Sequence, residues 1–149
     1  MGSHPLSTRS TMPRSDVLPS PEGQISLRVR PEDLASQLTI PTRGTFPAVF
    51  ATSRMVALME CAAAQCLEPL LEPGELSVGV SVDVRHTAAT PVGVEVTATA
   101  KHLGIEGKSY LFEVTAHDSA GEVGRGRHAR AIISTKRLLE SAERRRGES

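Results

Sequence analysis

Hydrophobic and polar positions change period several times along this chain, and each change marks an element. The stretch ELSVGVSVDVRH alternates strictly: Leu76, Val78, Val80, Val82 and Val84 stand on one phase, and His86 continues it. Alternation of this kind predicts a strand with one apolar face. The same period recurs in QISLRVR (24–30), in VGVEVTATAKH (92–102, with Val92, Val94, Val96, Ala98 and Ala100 on one face), in KSYLFEVTAH and in VGRGRHARAII. The connections TAATPVG, GIEG and DSAGE are short and built from turn residues, so the last four strands are expected to run antiparallel. Between the first strand and the others the period becomes helical. A helix over 52–67 is expected to start at Thr52 or Ser53 as N-cap and to stop at the prolines and glycine of LEPLLEPGE. Met55, Met59, Ala62, Ala63 and Cys66 form its stripe while Leu58 and Cys61 spill beyond it, which predicts cover around most of the circumference.

The remaining segments are polar. Residues 1–22 are rich in Ser, Thr and Pro and read as a disordered tail, 31–48 as a loop with one helical turn at PEDLAS, and 136–149 as a polar helical tail. The folded domain is therefore placed at 23–135. One strand, one mostly buried helix and four antiparallel strands predict an α+β fold. A helix apolar nearly all round needs a curved surface, and an antiparallel sheet of about five strands wrapped around one central helix is the hot-dog arrangement. A generic α+β sandwich shares the element order.

Composition narrows the function. Among 149 residues there is no Trp, one Tyr and three Phe, so Val, Ala and Leu must fill the core. Seventeen basic residues balance seventeen acidic ones, which argues against a nucleic-acid partner. Cys61 and Cys66 would point about 140° apart on a helix and cannot bridge each other, and free thiols in an apolar run favour a reducing compartment. The sequence shows no basic-then-apolar leader and no uncharged apolar run of about 18 residues, so a cytoplasmic protein without a membrane partner is expected. Cysteines and histidines match no zinc spacing, and no glycine-rich loop opens a helix after a strand; no metal site is expected.

One residue stands out against this background. Glu60 is the only charge between Arg54 and Glu68, in SRMVALMECAAAQC, and its helical neighbours Val56, Ala57, Ala63 and Ala64 include no base. An unpaired buried carboxylate is costly, so Glu60 either lies at a gap in the sheet's cover or meets a partner from elsewhere. His86, at the end of its strand on the inward phase, is the natural partner for acid/base chemistry. Thr52 is a third candidate, a hydroxyl beside the helix-start amides that suits an oxyanion or simply caps the helix. Thr52 and Glu60 lie about 12 Å apart along a straight helix, so both reach one substrate only if the helix start bends or a second subunit contributes.

The stretch from FPAVFATSRMVALMECAAAQC through VDVRHTAATPVGVEVTATA, continuing to VTAHDSAGEVGRGRHARAII, resembles the fluoroacetyl-CoA thioesterase-like hot-dog family from about Phe46 to Ile133. The resemblance implies that Thr52, Glu60 and His86 form the catalytic set, that Gly79 lines the substrate and that Arg130 lies near the active site. Phe46 matches the second of two lid phenylalanines in that family, and Phe50 is placed with it against the substrate. The first lid phenylalanine falls on Arg43, which cannot form an apolar gate. The implied activity is hydrolysis of a short or small acyl-CoA by a homodimer, with no cofactor beyond coenzyme A as part of the substrate. Arg125, Arg127 and Arg130, read as sharing one strand face, are candidates for the CoA phosphates, although a solvated charged face fits Arg125 and Arg127 equally. A hot-dog acyl-CoA hydratase or dehydratase and a non-catalytic acyl-CoA binding module are the alternatives.

Overall fold

Alternating valines and alanines build a single antiparallel sheet in the computed structural model, which describes residues 17–40 and 44–147. The strands are β1 (Glu22–Arg28), β2 (Glu75–His86), β3 (Glu95–Glu106), β4 (Ser109–Asp118) and β5 (Gly121–Ser134). Helix α1 (Thr52–Leu67) lies between β1 and β2 in the chain, and α2 (Thr135–Gly147) ends it. In space the order is β1-β3-β4-β5-β2, so β1 and β2 are the two edges. This is the expected α+β arrangement of five strands around one helix.

The helix packs chiefly on β1 and β3. Small residues allow that approach: Ala98, Ala100 and Ala116 are fully buried, and a Cβ on Gly23 would collide with the carbonyl of Ala62. Met55, Met59, Leu67, Phe50, Tyr110 and Phe112 fill the rest of the core. Because α1 is displaced toward β1, the β2 end of the inner face is open. Ala57 and Cys61 on the helix are exposed, and so are Val80 and Val82 on β2, at 56% and 43%. The prediction of cover around most of α1 therefore needs correction: one face of small apolar residues remains uncovered in the single chain.

Two further expectations are revised. The inward phase of β2 is not continuous, because the register with β5 steps between Gly79, opposite Arg130, and Ser81, opposite Ala129. Val80 is the extra residue of a β-bulge, which reverses the facing of everything before it. Ser77 and Gly79 thus turn toward the helix where Leu76 and Val78 were expected. The boundary of the disordered tail also moves. Most of 1–22 lies outside the described residues, but Leu18 is buried in the core and Glu22 opens β1. The C-terminal tail is helical as expected, and α2 contributes no buried residue.

The segment before α1 is tied down at its base. Ala35 donates to Val49 and Ser36 to Pro47 through their backbones, and Leu34 bridges Phe50, so residues 34–36 are tied to 47–50. Asp33 is fully buried, with both oxygens held by Arg30 and Arg54. The Asp33 carbonyl accepts from the Ala51 amide, which fixes where α1 begins.

Candidate active site

The structure divides the candidate residues into two groups. At the helix start, Thr52 Oγ1 lies 2.8 Å from His86 Nδ1. Thr52 is not the N-cap: Ala51 holds that position and has no polar side chain to cap with, and the threonine hydroxyl is engaged by the histidine instead. Phe50 is 1% exposed and meets the His86 ring edge-on at 6.5 Å, holding the imidazole against the helix. Phe46, nearly half exposed, joins Phe50, Thr52 and His86 around a cavity of about 370 Å³ whose other walls are Ala35, Pro47, Val49, Thr87, Ala88 and Ala89. Burial lowers the His86 pKa below its ordinary 6.5 and favours the neutral ring. The His86 Nε2 atom is buried and has no hydrogen-bond partner among the described residues. Arg43 lies outside the described residues.

The second group lies two turns along α1, on the open margin of the sheet. Arg130 Nη1 donates to Glu60 Oε2 at 3.0 Å, and the Glu60 side chain is 38% exposed. Its other oxygen, Oε1, has no partner among the described residues. Gly79 lies directly beneath: a Cβ there would come within 2.5 Å of Glu60 Oε2. The expected pairing of Glu60 with His86 is therefore not what one chain forms. The carboxylate meets an arginine from β5, while the histidine meets the helix-start threonine, and the two groups are separated by about 12 Å of helix.

Sequence reasoning missed two members of the second group. His128, only 2% exposed, sits 3.1 Å from Arg130 Nη1, and Ser77 holds the same guanidinium through both its hydroxyl and its carbonyl at 3.0 Å. The signal for His128 was the period of two, since residues 128 and 130 share a face of β5. Ser77 had none, because the bulge at Val80 reverses the phase on which it lies. The same period corrects the grouping of the arginines. Arg125 lies on the other face, ion-paired with Glu113 and Glu122, whereas Arg130 is buried beneath the helix.

The comparisons with known proteins bear on this geometry. The model of the family described as fluoroacetyl-CoA-specific thioesterase (FlK) matches residues 29–136, most of the chain. A fluoroacetyl-CoA thioesterase of Streptantibioticus cattleyicolor is 47% identical over 98 residues, which is 66% of this chain and 70% of that protein. The chain belongs to the fluoroacetyl-CoA-specific thioesterase family.

A solved structure of the fluoroacetyl-CoA thioesterase FlK superposes on this thioesterase with a TM-score of 0.78 at 38% identity, covering 83% of this chain and 93% of that one. A hot-dog-like protein from Thermanaerovibrio acidaminovorans is 25% identical, with a TM-score of 0.73 over 86% of this chain and 93% of its own. The hot-dog fold expected from the element order is thus the fold of this thioesterase. Among the described residues no helix is long and apolar enough to cross a membrane, and no group of three or more His, Cys, Asp or Glu is placed to hold a metal ion.

Proposed function

We propose that this thioesterase hydrolyses a short or small acyl-CoA to the free acid and coenzyme A, with Glu60 as the reacting carboxylate. The observation that carries this reading is the asymmetry of Glu60: Arg130 holds Oε2, and Oε1 is left on a half-exposed margin. A carboxylate held by one oxygen is oriented, and its second oxygen serves as nucleophile toward the thioester carbon or as base toward water. As base, Glu60 takes a proton from the attacking water and returns it to the thiolate as the C–S bond breaks. As nucleophile, it displaces the thiolate to form an acyl-glutamyl anhydride, which water then hydrolyses to the free acid, the water's proton going to the thiolate. In the Nε2–H tautomer, with Nδ1 accepting from the Thr52 hydroxyl, the neutral His86 presents a donor to the carbonyl oxygen or the leaving sulfur. The cavity lined by Phe46, Phe50, Ala35, Ala88 and Ala89 has apolar walls of a size for a small acyl group.

Both groups reach one substrate if the active assembly is a homodimer. The single chain leaves β2 unpaired at the edge and leaves Val80, Val82, Ala57 and Cys61 exposed beside Glu60. An edge strand and a strip of small apolar side chains are the features a second copy covers. In this arrangement Thr52 and His86 of one chain face Glu60 and Arg130 of the other.

Two experiments test the reading. Thiol release over a panel of acyl-CoAs is expected with small acyl groups. Tight binding with no thiol release would instead favour a binding module, and hydration of an enoyl-CoA without thiol release a hydratase. Mixed dimers test the shared site: His86→Ala and Glu60→Gln are each expected to be inactive alone. When the two are co-expressed, the mixed dimers should regain one intact site of two, about half the native activity per dimer. No recovery in isolated mixed dimers would place each site within one chain.

A further inference from the structure

Deep beneath the candidate carboxylate is a histidine whose protonation is dictated by its partners. His128 Nδ1 lies 2.8 Å from the carbonyl oxygen of Ser81, and Nε2 lies 3.1 Å from Arg130 Nη1. A carbonyl oxygen only accepts, so the hydrogen must be on Nδ1. A guanidinium only donates, so Nε2 must present its lone pair. The ring is therefore neutral and in the Nδ1–H tautomer. Burial, assisted by the Arg130 charge, lowers its pKa below the ordinary 6.5 and opposes the imidazolium, although the Ser81 bond and the Glu60 charge act the other way.

We propose that His128 is a positioning residue for hydrolysis, fixing Arg130 so that Arg130 in turn aims the Glu60 carboxylate; this rests on the role proposed for Glu60. Arg130 is a long side chain, and an arginine that only paired with a half-exposed carboxylate would swing with it. Here the guanidinium is bounded on both sides. Nε and Nη2 donate to Ser77, and Nη1 divides its two hydrogens between Glu60 Oε2 and His128 Nε2. The Ser77 bonds hold one edge of the plane, and His128 sets the direction in which the remaining Nη1 hydrogen points. The bare backbone of Gly79 lets the carboxylate and the imidazole close over it, with a would-be Cβ only 2.5 Å from Glu60 Oε2 and 3.4 Å from His128 Cε1. The β-bulge at Val80 belongs to the same device, since Ser77 and Gly79 before it and Ser81 just after it all serve this one cluster.

The device predicts a loss of rate rather than of binding. His128→Phe preserves the ring volume and removes both hydrogen bonds, whereas His128→Gln retains one donor and one acceptor. With acyl-CoA substrates and thiol release as readout, His128→Phe is expected to lower kcat about 10- to 100-fold with KM within about 3-fold, the scale of an ångström's misplacement of a reacting group. His128→Gln should recover most of that loss. A folded His128→Phe, checked by circular dichroism and melting temperature, that keeps native kcat would overturn the proposal. So would a Gln variant no better than Phe. Imidazole ¹⁵N spectra of the native protein at pH 7 provide a reading that needs no variant: a neutral Nδ1–H ring is expected for His128, and an Nε2–H or doubly protonated ring overturns it. A native protein that releases thiol from no acyl-CoA would instead refute the hydrolytic reading itself, while leaving the tautomer to be read independently.

Discussion

Glu60→Gln is expected to lower kcat for thiol release by about 10³-fold or more while leaving the melting temperature within a few degrees. The glutamine side chain has the same shape, and its amide oxygen still accepts from Arg130 Nη1, the bond the carboxylate makes at 3.0 Å. What disappears is the negative charge and the basic Oε1. A positioned general base contributes about 10²- to 10⁴-fold, and loss of a covalent nucleophile costs at least as much. KM should change little, because the cavity at Phe46 and Phe50 lies at the other end of the helix from this carboxylate and is untouched. Steady-state kinetics on the best substrate of the panel decides the matter. A variant retaining more than about a tenth of native kcat would remove Glu60 from the chemistry, since no base or nucleophile contributes so little.

The second large effect concerns stability. Asp33→Asn is expected to destabilise the fold by about 3 kcal/mol, the lower end of the range for breaking a buried ion pair. That corresponds to a fall of about 10 °C in melting temperature for a domain of this size. Asp33 has no solvent exposure and accepts from the Arg30 amide, from Arg30 Nε and Nη2, and from Arg54 Nε and Nη2, all at 2.8–3.0 Å. An asparagine would turn an NH₂ toward donors. The lower end applies because Arg30 and Arg54 remain about half exposed and can hydrate when released.

The pH dependence of that contribution has a definite sign. The side-chain hydrogen bonds from Arg30, more than any other cause, hold the Asp33 pKa far below its ordinary 3.8. The folded state therefore binds the proton less readily than the unfolded chain. The stabilisation is fully present above the unfolded value and is lost as pH falls below about 4 toward the folded one. The gap in urea stability between native and variant protein should be constant from pH 8 to about pH 5 and narrow below pH 4. A gap that stayed constant through pH 3 would remove the carboxylate as its source. Because the Asp33 carboxylate also holds Arg54, two residues after Thr52 in α1, the variant is expected to lose activity too, through displacement of the helix start.

Much of this protein is legible in one dimension. Period-two runs located all five strands, the helical stripe placed α1 over 52–67, and a carboxylate without helical neighbours singled out Glu60, because these features depend only on the spacing of side chains along the backbone. Resemblance added Gly79 and Arg130, which the fold brings beside Glu60, and Phe46 and Phe50, which it brings beside Thr52 and His86. Pairing was another matter. The sequence joined Glu60 to His86 because both looked inward, but which inward residues touch depends on where α1 lies across the sheet and on the register of β2 with β5. The extra residue at Val80 leaves no trace in an alternating string of valines and serines, yet it turns Ser77 and Gly79 toward the helix and brings the Ser81 carbonyl to His128. The sequence by itself determined the elements, the fold class and the lone carboxylate. Only the tertiary structure decided its partners, since a hydrogen bond between residues 70 positions apart, as between Glu60 and Arg130, is set by the packing of a helix on a bulged sheet rather than by any local pattern.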